Sequence, residues 1–256
     1  MSSSTVRIGA VVRKELAEFR RNRLVLSTMA VFPVFFLISP TITVLAGNAA
    51  EDTQALDHQV GLSLLFLMLI PVLVPATVAA NSVVGERDQG TLEPVLTTPV
   101  SREELLIGKA VANLIPAVGL SYLVLGVFLA IVGIGANPVI ASAVLHAPQL
   151  VAELFYIPLL AGWAIWVGLA NSTRATDTRV AQQLSMLASL PPIAVIALMS
   201  FQVIRPTLTV ALLFAGALLA VDCAAYLAVA QLFDRERLVS GSKRTGATSR
   251  PKEAVR

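Results

Sequence analysis

Six long apolar runs, separated by clusters of charged residues, are the feature that most constrains how this chain can fold. They lie near residues 24–46, 61–84, 110–134, 148–170, 183–204 and 207–233. A helix needs about 20 mostly apolar residues to cross the hydrocarbon core of a bilayer. Every run reaches that length. The sequence therefore predicts an all-α integral membrane protein, folded as a bundle of six transmembrane helices.

Composition and pattern exclude the main alternatives. Charged residues make up 14% of the chain, whereas soluble domains carry about a quarter, so polar surface is too scarce for a water-soluble globule. A transmembrane β-barrel requires short segments that alternate apolar and polar residues. Runs such as 62–69 do not alternate. The single cysteine, Cys223, excludes an intrachain disulfide.

The distribution of basic residues predicts the orientation. Lys and Arg collect on the cytoplasmic side of membrane proteins. All nineteen basic residues except Arg205 fall in the N-terminal segment, in the loops after spans two and four, or in the C-terminal tail. We therefore predict a multi-pass protein of the plasma (inner) membrane with both termini in the cytoplasm. The net charge of +3 then reflects anchoring beside anionic lipid headgroups, not nucleic-acid binding.

The loops are short, so the chain is predicted to form one membrane domain, residues 1–239. A Ser-, Gly-, Lys- and Arg-rich segment, residues 240–256, follows it and is predicted to be a disordered basic cytoplasmic tail. There is no cleavable signal peptide pattern, because the first apolar run is full-length and lacks a small-residue cleavage site.

Residues 6–19 are predicted to form an amphipathic helix on the membrane surface. Apolar side chains recur every three or four residues along this segment and form one stripe; they are Ile8, Val12, Leu16 and Phe19. The opposite face carries Arg13, Lys14, Glu15 and Glu18. Such a helix suits the interface and leads into the first span. An unstructured charged lead-in is the alternative.

The stretch 85–109, which reads GERDQGTLEPVLTTPVSREELLIGK, connects the second and third runs. Gly90 permits a chain break, Thr91 can cap a short helix, and Pro99 ends that helix. Its apolar face would consist of Leu92, Val95 and Leu96. Ser101 and Glu104 have the spacing of a capping box that opens the third span. We predict a short cytoplasmic coupling helix between spans two and three, suited to transmitting a push from a cytoplasmic partner.

This stretch resembles the signature of the permeases of ABC-2-type ABC transporters. That signature reads Glu-Arg-Glu-x-Gly-Thr-Leu-Glu, followed by a Thr-Pro-Val-Ser-Arg-like turn and a Gly-Lys pair that opens the third helix. The matching residues here are Glu86, Arg87, Gly90, Thr91, Leu92, Glu93, Thr98, Pro99, Val100, Ser101, Arg102, Gly108 and Lys109. Asp88 stands where the family more often has Glu. Residues 13–16 and 171–184 resemble two further family segments, so the resemblance runs through nearly the whole chain.

The resemblance implies the membrane-spanning permease subunit of an ATP-driven ABC exporter. Such a subunit pairs with a second copy or a homologous permease, lies among membrane lipids, and couples to separate ATP-binding subunits. The residues implied in ATPase coupling are Glu86, Arg87, Gly90, Thr91, Leu92, Glu93, Leu96, Pro99 and Ser101. The chain lacks a phosphate-binding G-x-x-x-x-G-K-[ST] motif. ATP and magnesium are therefore expected on the partner, and no enzyme activity, cofactor or metal is expected on this chain.

The family also carries re-entrant segments between spans five and six. The connection here is short, which leaves little room for such a segment unless residues 191–206 are themselves bent.

Asp222 is the costliest residue to place in a bilayer. A carboxylate near the centre of a span costs about 2.5–3.5 kcal/mol on insertion scales, so it should face the bundle interior or a watery cavity. Asp222 is therefore a candidate for the translocation path, and a hydrogen-bonded structural residue is the alternative. Glu153 and His146 are predicted to lie near the outer mouth, solvated by headgroups and water, with structural roles.

Three other functions compete with the exporter. An intramembrane enzyme is disfavoured because the only histidines are His58 and His146 and no metalloprotease or paired-aspartate motif is present. An ion-coupled secondary carrier would use Asp222 as its coupling site, although no internal repeat supports one. A membrane scaffold or immunity protein bound to an ATPase, without transport, is the third. The uniformly apolar spans suit drugs, lipids, peptides or ions equally well.

Overall fold

The computed structural model describes residues 3–47, 53–88, 90, 100–145, 148–204 and 207–232. All regular structure within those ranges is helical. The helices are α1 (Ser3–Arg21), α2 (Arg23–Ala46), α3 (Thr53–Met68), α4 (Ile70–Asp88), α5 (Arg102–Gly135), α6 (Pro138–Leu145), α7 (Pro148–Arg174), α8 (Thr178–Ala188), α9 (Leu190–Ser200) and α10 (Leu208–Leu232).

Six stretches among the described residues are long and apolar enough to cross a bilayer, which confirms the predicted multi-pass, all-helical architecture. They are Val25–Ala46, Ala55–Asp88, Arg102–Gly135, Leu150–Arg174, Thr178–Ser200 and Leu208–Gln231. The second and third are 34 residues each. A helix of that length measures about 51 Å, more than the roughly 30 Å hydrocarbon core. Both stretches therefore continue beyond their apolar runs, into charged residues 86–88 at the end of the second and 102–104 at the start of the third.

Two spans are broken by short turns at prolines. The second consists of α3 and α4 with a turn at Leu69, just before Pro71. The fifth consists of α8 and α9 with a turn at Ser189, and α9 begins with Leu190 followed by Pro191 and Pro192. Proline lacks a backbone N–H and is tolerated best in the first turn of a helix. Each pair of helices together forms one of the six stretches that are long and apolar enough to cross a bilayer.

Helix α4 lies at the centre of the bundle, and nearly all of its residues from Ile70 to Glu86 are buried. Helix α7 packs along it at very short distance. A Cβ atom added at Gly168 would lie 2.6 Å from the Cβ of Ala79 and 3.1 Å from the backbone oxygen of Ala76. Small residues allow membrane helices to approach this closely. The α4–α7 pair is the structural core, and α10 also packs against α7.

Helix α1 contains the predicted 6–19 helix, and its placement on the membrane surface stays a prediction. Its apolar stripe lies against the bundle: Phe19 packs with Val25, Val78 and Ala112. Val12 and Leu16, partly buried, join the same cluster.

Several predictions fall on residues outside the described ranges. The coupling helix falls almost entirely on residues 91–99, and the basic tail on residues 240–256. His146 and Arg205 also lie outside the described residues.

Candidate functional site

A group of five charged side chains, three of them buried, joins three helices at one end of the bundle. These residues, called the charge cluster below, are Lys14, Glu15 and Glu18 of α1, Glu86 of α4 and Lys109 of α5. Lys109 is 0% exposed, Glu15 is 2% exposed and Glu86 is 6% exposed. Buried charges require partners and good geometry, since the cost of desolvation otherwise exceeds the attraction.

Lys109 is the centre of the cluster. Its Nζ atom lies 2.8 Å from Oε1 of Glu15 and 2.9 Å from Oε2 of Glu86. The ammonium group also donates to the hydroxyl of Ser82 at 3.2 Å and to the Ser82 carbonyl oxygen at 3.3 Å. One side chain at the start of α5 thus holds both α1 and the end of α4.

Lys14 provides the second positive charge, at the edge of the cluster. It is paired with Glu86, with Glu15 at 3.3 Å and with Glu18 at 3.1 Å. One carboxylate oxygen from each of Glu15, Glu18 and Glu86 lies within 4.8 Å of the other two. The two ammonium groups provide the positive charge that holds these carboxylates together.

Gly108 explains how α1 comes close enough to pair with Lys109. A Cβ atom at Gly108 would lie 2.5 Å from Cγ1 of Val11, closer than real Cβ contacts occur. Val11 lies one helical turn before Glu15, so the contact between Gly108 and Val11 brings Glu15 towards Lys109. Adjacent residues of α5 therefore have complementary roles: Gly108 permits the close approach, and Lys109 binds the carboxylates.

The beginning of α5 is fixed by a second set of contacts. The Ser101 hydroxyl accepts from the Glu104 backbone N–H at 3.2 Å, and Glu104 accepts from the Ser101 N–H at 2.9 Å. This confirms the predicted capping box. Glu104 also forms an ion pair with Arg7 of α1 at 2.9 Å. The capping residue therefore ties the start of α5 to α1 as well.

The end of α4 is fixed to α7 and to the turn that follows it. The Ser172 hydroxyl accepts hydrogen bonds from the backbone N–H groups of Val83 and Val84 at 2.9 and 3.1 Å. The Arg87 guanidinium donates to the carbonyl oxygen of Ala175, just beyond the C-terminus of α7. A cation is favourable at that end of a helix because the last carbonyl groups lack intrahelical partners.

The sequence-predicted coupling residues fall into two groups. Glu86, Arg87, Gly90 and Ser101 lie at the end of the bundle that holds the charge cluster. Gly90 is exposed and has a φ of 68°, a left-handed conformation that glycine adopts readily, and its N–H donates to the Arg87 carbonyl at 3.1 Å. The remaining predicted residues lie outside the described ranges: Thr91, Leu92, Glu93, Leu96 and Pro99.

Asp222 does not join this site. It lies on α10, with its carboxylate next to Gly162 of α7, where an added Cβ would be 2.7 Å from Oδ2. A groove of about 300 Å³ between α5, α7 and α10 includes Asp222, Leu114 and Tyr226 in its lining. The Oδ1 atom of Asp222 is buried and has no hydrogen-bond partner within the described part of the chain.

Two sequence-based placements of glutamates are wrong. Glu15 is predicted on the polar face of α1, opposite the apolar stripe, but it lies one helical turn from both Val11 and Phe19 and is buried on the same side as they are, against Lys109. Glu153 was expected in headgroups and water, but it is 2% exposed because neighbouring helices enclose it. One sequence feature indicates that Glu15 has a buried partner. Lys109 lies at the very start of a predicted span, and a lysine that is buried there needs a carboxylate partner.

The charge cluster shifts the pKa values of two α1 residues, Lys14 and Glu15. Burial would lower the pKa of Lys14, but the carboxylates of Glu15, Glu86 and Glu18 outweigh it and hold this pKa above its usual range. Burial would raise the pKa of Glu15, but Lys109 and Lys14 outweigh it and hold this pKa below its usual range. Both shifts favour the charged forms, so the folded state keeps the ion pairs over a wide pH range.

These shifts predict how stability depends on pH. The stabilisation from Glu15 is complete above its unfolded pKa of about 4.3 and is lost as the pH falls through the lower folded value. The stabilisation from Lys14 is complete below about pH 10.4 and is lost as the pH rises through the higher folded value. Glu15→Gln should therefore unfold at a lower temperature than the wild type at neutral pH, and the difference should shrink in acid. A difference that stays constant down to pH 3 in lipid nanodiscs would argue against this role of Glu15.

Comparison with known proteins links this arrangement to a family. Residues 9–214 match the family model described as ABC-2 family transporter protein. The chain is 35% identical over 105 residues to the "Probable ABC transporter permease protein NosY" of Pseudomonas aeruginosa, and 31% identical over 103 residues to the protein of the same name from Stutzerimonas stutzeri. Each match covers 40% of this chain and 37% of the relative. Since the family model spans most of the chain, the resemblance found in residues 85–109 is confirmed: this chain belongs to the ABC-2 family of transporter proteins.

Proposed function

We propose that the chain is the membrane-spanning permease subunit of an ATP-driven ABC exporter, coupled to separate cytoplasmic ATP-binding subunits. The observation that carries this proposal is the charge cluster. Glu86 and Lys109 flank the segment 91–99, and they lie 2.9 Å apart within the cluster. Both flanks of the segment are therefore held to the bundle, together with α1.

This anchoring makes the segment suited to force transmission. Helix α4 is the buried centre of the bundle. Hydrogen bonds made by Ser172 and Arg87 join the end of α4 to α7 and to the residue that follows it. A push on the segment would be taken up by α4 and α5 as rigid elements, because the paired charges oppose local bending at their ends. Displacement would then reach the helices around the α4–α7 core.

The coupling residues divide by role in this proposal. Glu86, Arg87 and Ser101 have their contacts within the chain and would position the segment. Thr91, Leu92, Glu93, Leu96 and Pro99 would form the surface that meets the ATP-binding subunit. Gly90 would allow the chain to turn into the segment. ATP and magnesium would be bound by the partner, as the family resemblance implies.

Pairing with a second permease, and contact with lipid, is supported by the outward apolar faces of α2 and α10. Both helices expose large apolar side chains, including Val31, Phe35, Leu212 and Leu213. Exposed apolar surface of this extent requires lipid or another apolar protein face. We place the second permease and the bilayer against these helices, with both termini on the cytoplasmic side.

Asp222 is proposed as part of the translocation path. The groove between α5, α7 and α10 and the unpaired Oδ1 atom support this role, since carboxylates inside membranes are costly and usually serve function. The same unpaired atom favours a second candidate, an ion-coupled carrier that binds its coupling ion at Asp222. The ion-coupled carrier needs no ATPase, so recruitment of one distinguishes the two.

Co-purification tests the proposal. The chain is co-expressed with a candidate ATP-binding subunit, purified in detergent and reconstituted in nanodiscs. We expect the ATP-binding subunit to remain bound through purification and to hydrolyse ATP faster in the complex than alone. A well-folded chain that retains no ATP-binding subunit and changes no hydrolysis rate would contradict the permease role.

A further inference from the structure

A second site lies at the other end of the bundle from the charge cluster. A cavity of about 280 Å³ is enclosed by α3, α7, α9 and α10. Glu153 of α7 lies in the wall of this cavity. It precedes Ser172, the α7 residue that contacts the end of α4, by 19 residues. That separation corresponds to about 28 Å along a helix. We call this space the Glu153 cavity.

The Glu153 cavity combines one carboxylate with apolar walls. Apolar lining side chains include Leu64, Met68, Ile196, Met199 and Ala211. Glu153 is buried, and neither of its carboxylate oxygens has a hydrogen-bond partner within the described part of the chain. The other polar lining side chains are Tyr156, Ser200 and Thr207, which carry hydroxyl groups and no charge. The Tyr156 hydroxyl is already bonded to the Ala211 carbonyl oxygen at 3.2 Å.

A buried carboxylate without a partner is costly, whether it is charged or neutral. The cost is removed when a cation or a strong donor binds beside it. A hard metal ion is disfavoured, because a single carboxylate surrounded by apolar side chains cannot provide the six or more oxygen ligands of Ca²⁺ or the octahedral shell of Mg²⁺. An anion is disfavoured by the carboxylate itself. The walls instead suit hydrocarbon.

The cavity opens towards the apolar surface of the bundle. Phe155, Leu208 and Leu212 line it and are 63%, 70% and 62% exposed. A ligand would therefore enter sideways, from the hydrocarbon of the bilayer. The volume of the Glu153 cavity lies near the lower end of the range for small-molecule sites, about 300–1,000 Å³.

We propose that the Glu153 cavity binds a cationic amphiphile, with a protonated nitrogen against the Glu153 carboxylate and a short hydrocarbon chain against Met68, Ile196 and Met199. The protonated nitrogen of the ligand donates a hydrogen bond to the buried carboxylate. The hydrocarbon chain of the ligand exchanges its contacts with lipid for close packing against the cavity wall. Binding requires no ATP-binding subunit, so the experiment below gives its result whether or not the proposed exporter function is correct.

The test measures chemical labelling of Glu153 in the full-length wild-type chain in nanodiscs. Dicyclohexylcarbodiimide modifies carboxyl groups in apolar surroundings, and mass spectrometry quantifies the adducts at Glu153 and at Asp222. The probes are N,N-dimethyloctylamine, a tertiary amine that cannot form an amide, and octanol, which has the same chain without the charge. We expect the amine to halve labelling of Glu153 at a concentration about tenfold below that of octanol. A tenfold ratio corresponds to about 1.4 kcal/mol, close to the lower end of the net contribution of one hydrogen bond to a charged group.

Labelling of Asp222 in the same samples is the internal control and should not follow that of Glu153. Equal protection by amine and octanol, protection of Asp222 in parallel with Glu153, or absence of labelling at Glu153 would each overturn the proposal. A second measurement uses Glu153→Gln with Glu103→Gln, an exposed acid at the opposite end, as the matched control. The amine should raise the unfolding temperature of the wild type and of Glu103→Gln more than octanol does, and this preference should vanish in Glu153→Gln.

Discussion

Lys109→Met is expected to destabilise the folded chain by about 3–5 kcal/mol, because it leaves buried charges without their partner. Methionine fills a similar volume but offers no positive charge to Glu15 or Glu86, which are 2.8 and 2.9 Å from the ammonium nitrogen. The loss is measured as the change in free energy of unfolding in lipid nanodiscs or mixed micelles. Arg179→Met is the matched control, since Arg179 is exposed and should tolerate the change.

A double-mutant cycle separates the pair from general damage. Glu15→Gln combined with Lys109→Met should cost less than the two single changes added together, by about 0.5–3 kcal/mol. Each single change leaves an unmatched group, whereas the double change removes both members of the Glu15–Lys109 pair. Additive losses, or a Lys109→Met chain as stable as the wild type, would show that the ion pairs do not hold α1 and α5 together.

Gly168→Ala is expected to cost about 1–3 kcal/mol by overpacking the core. The added Cβ would lie 2.6 Å from the Ala79 Cβ and 3.1 Å from backbone atoms of Ala76 and Ala80. Backbone atoms of a central helix cannot move aside as a flexible side chain can, so α4 and α7 must separate. The free energy of unfolding and the yield of folded protein both report this change.

Gly216→Ala is the matched control for Gly168→Ala. No heavy atom lies within 4 Å of a Cβ at Gly216, so alanine should leave stability unchanged or raise it slightly by restricting the unfolded chain. Equal stability of the two variants would mean that α4 and α7 are not packed as closely as the structure has them.

The architecture was predictable because the signals that set it are local in the sequence. A span requires only length and apolar character, and those properties are visible in each run. The capping box of Ser101 and Glu104 was predictable for the same reason: both members lie within four residues of each other. The left-handed turn at Gly90 follows from glycine's freedom at positive φ.

The charge cluster was not predictable, because its members meet only through the fold. Glu15 and Lys109 are 94 positions apart. Viewed alone, α1 has Glu15 at the edge of its apolar face, one turn from Val11 and from Phe19, and a charged residue there suggests exposure to water. Only the contact of Val11 with Gly108 shows that a second helix covers the face carrying Glu15. The same cause explains Glu153, whose neighbours come from α3, α9 and α10.

The cluster also gives a physical meaning to three separate sequence features. The Lys14–Glu15 pair, Glu86 at the start of the central motif and the Gly108–Lys109 pair are far apart in the chain, yet they form one set of contacts. Each was first noted as part of a family resemblance. In the folded chain they bring together residues that precede and follow the segment 91–99 in sequence, which supports separate roles for positioning and for docking.

Comparison of Glu86→Gln with Glu93→Gln tests this division most directly. Both changes replace one acid by its amide within the same motif, and two quantities are measured on each complex: the unfolding temperature of the permease, and the amount and activity of the bound ATP-binding subunit. We predict that Glu86→Gln lowers the unfolding temperature, whereas Glu93→Gln unfolds like the wild type but binds and stimulates less ATPase. The opposite result would contradict this division of roles. In that result, Glu93→Gln recruits the ATP-binding subunit fully, whereas Glu86→Gln is as stable as the wild type but loses recruitment.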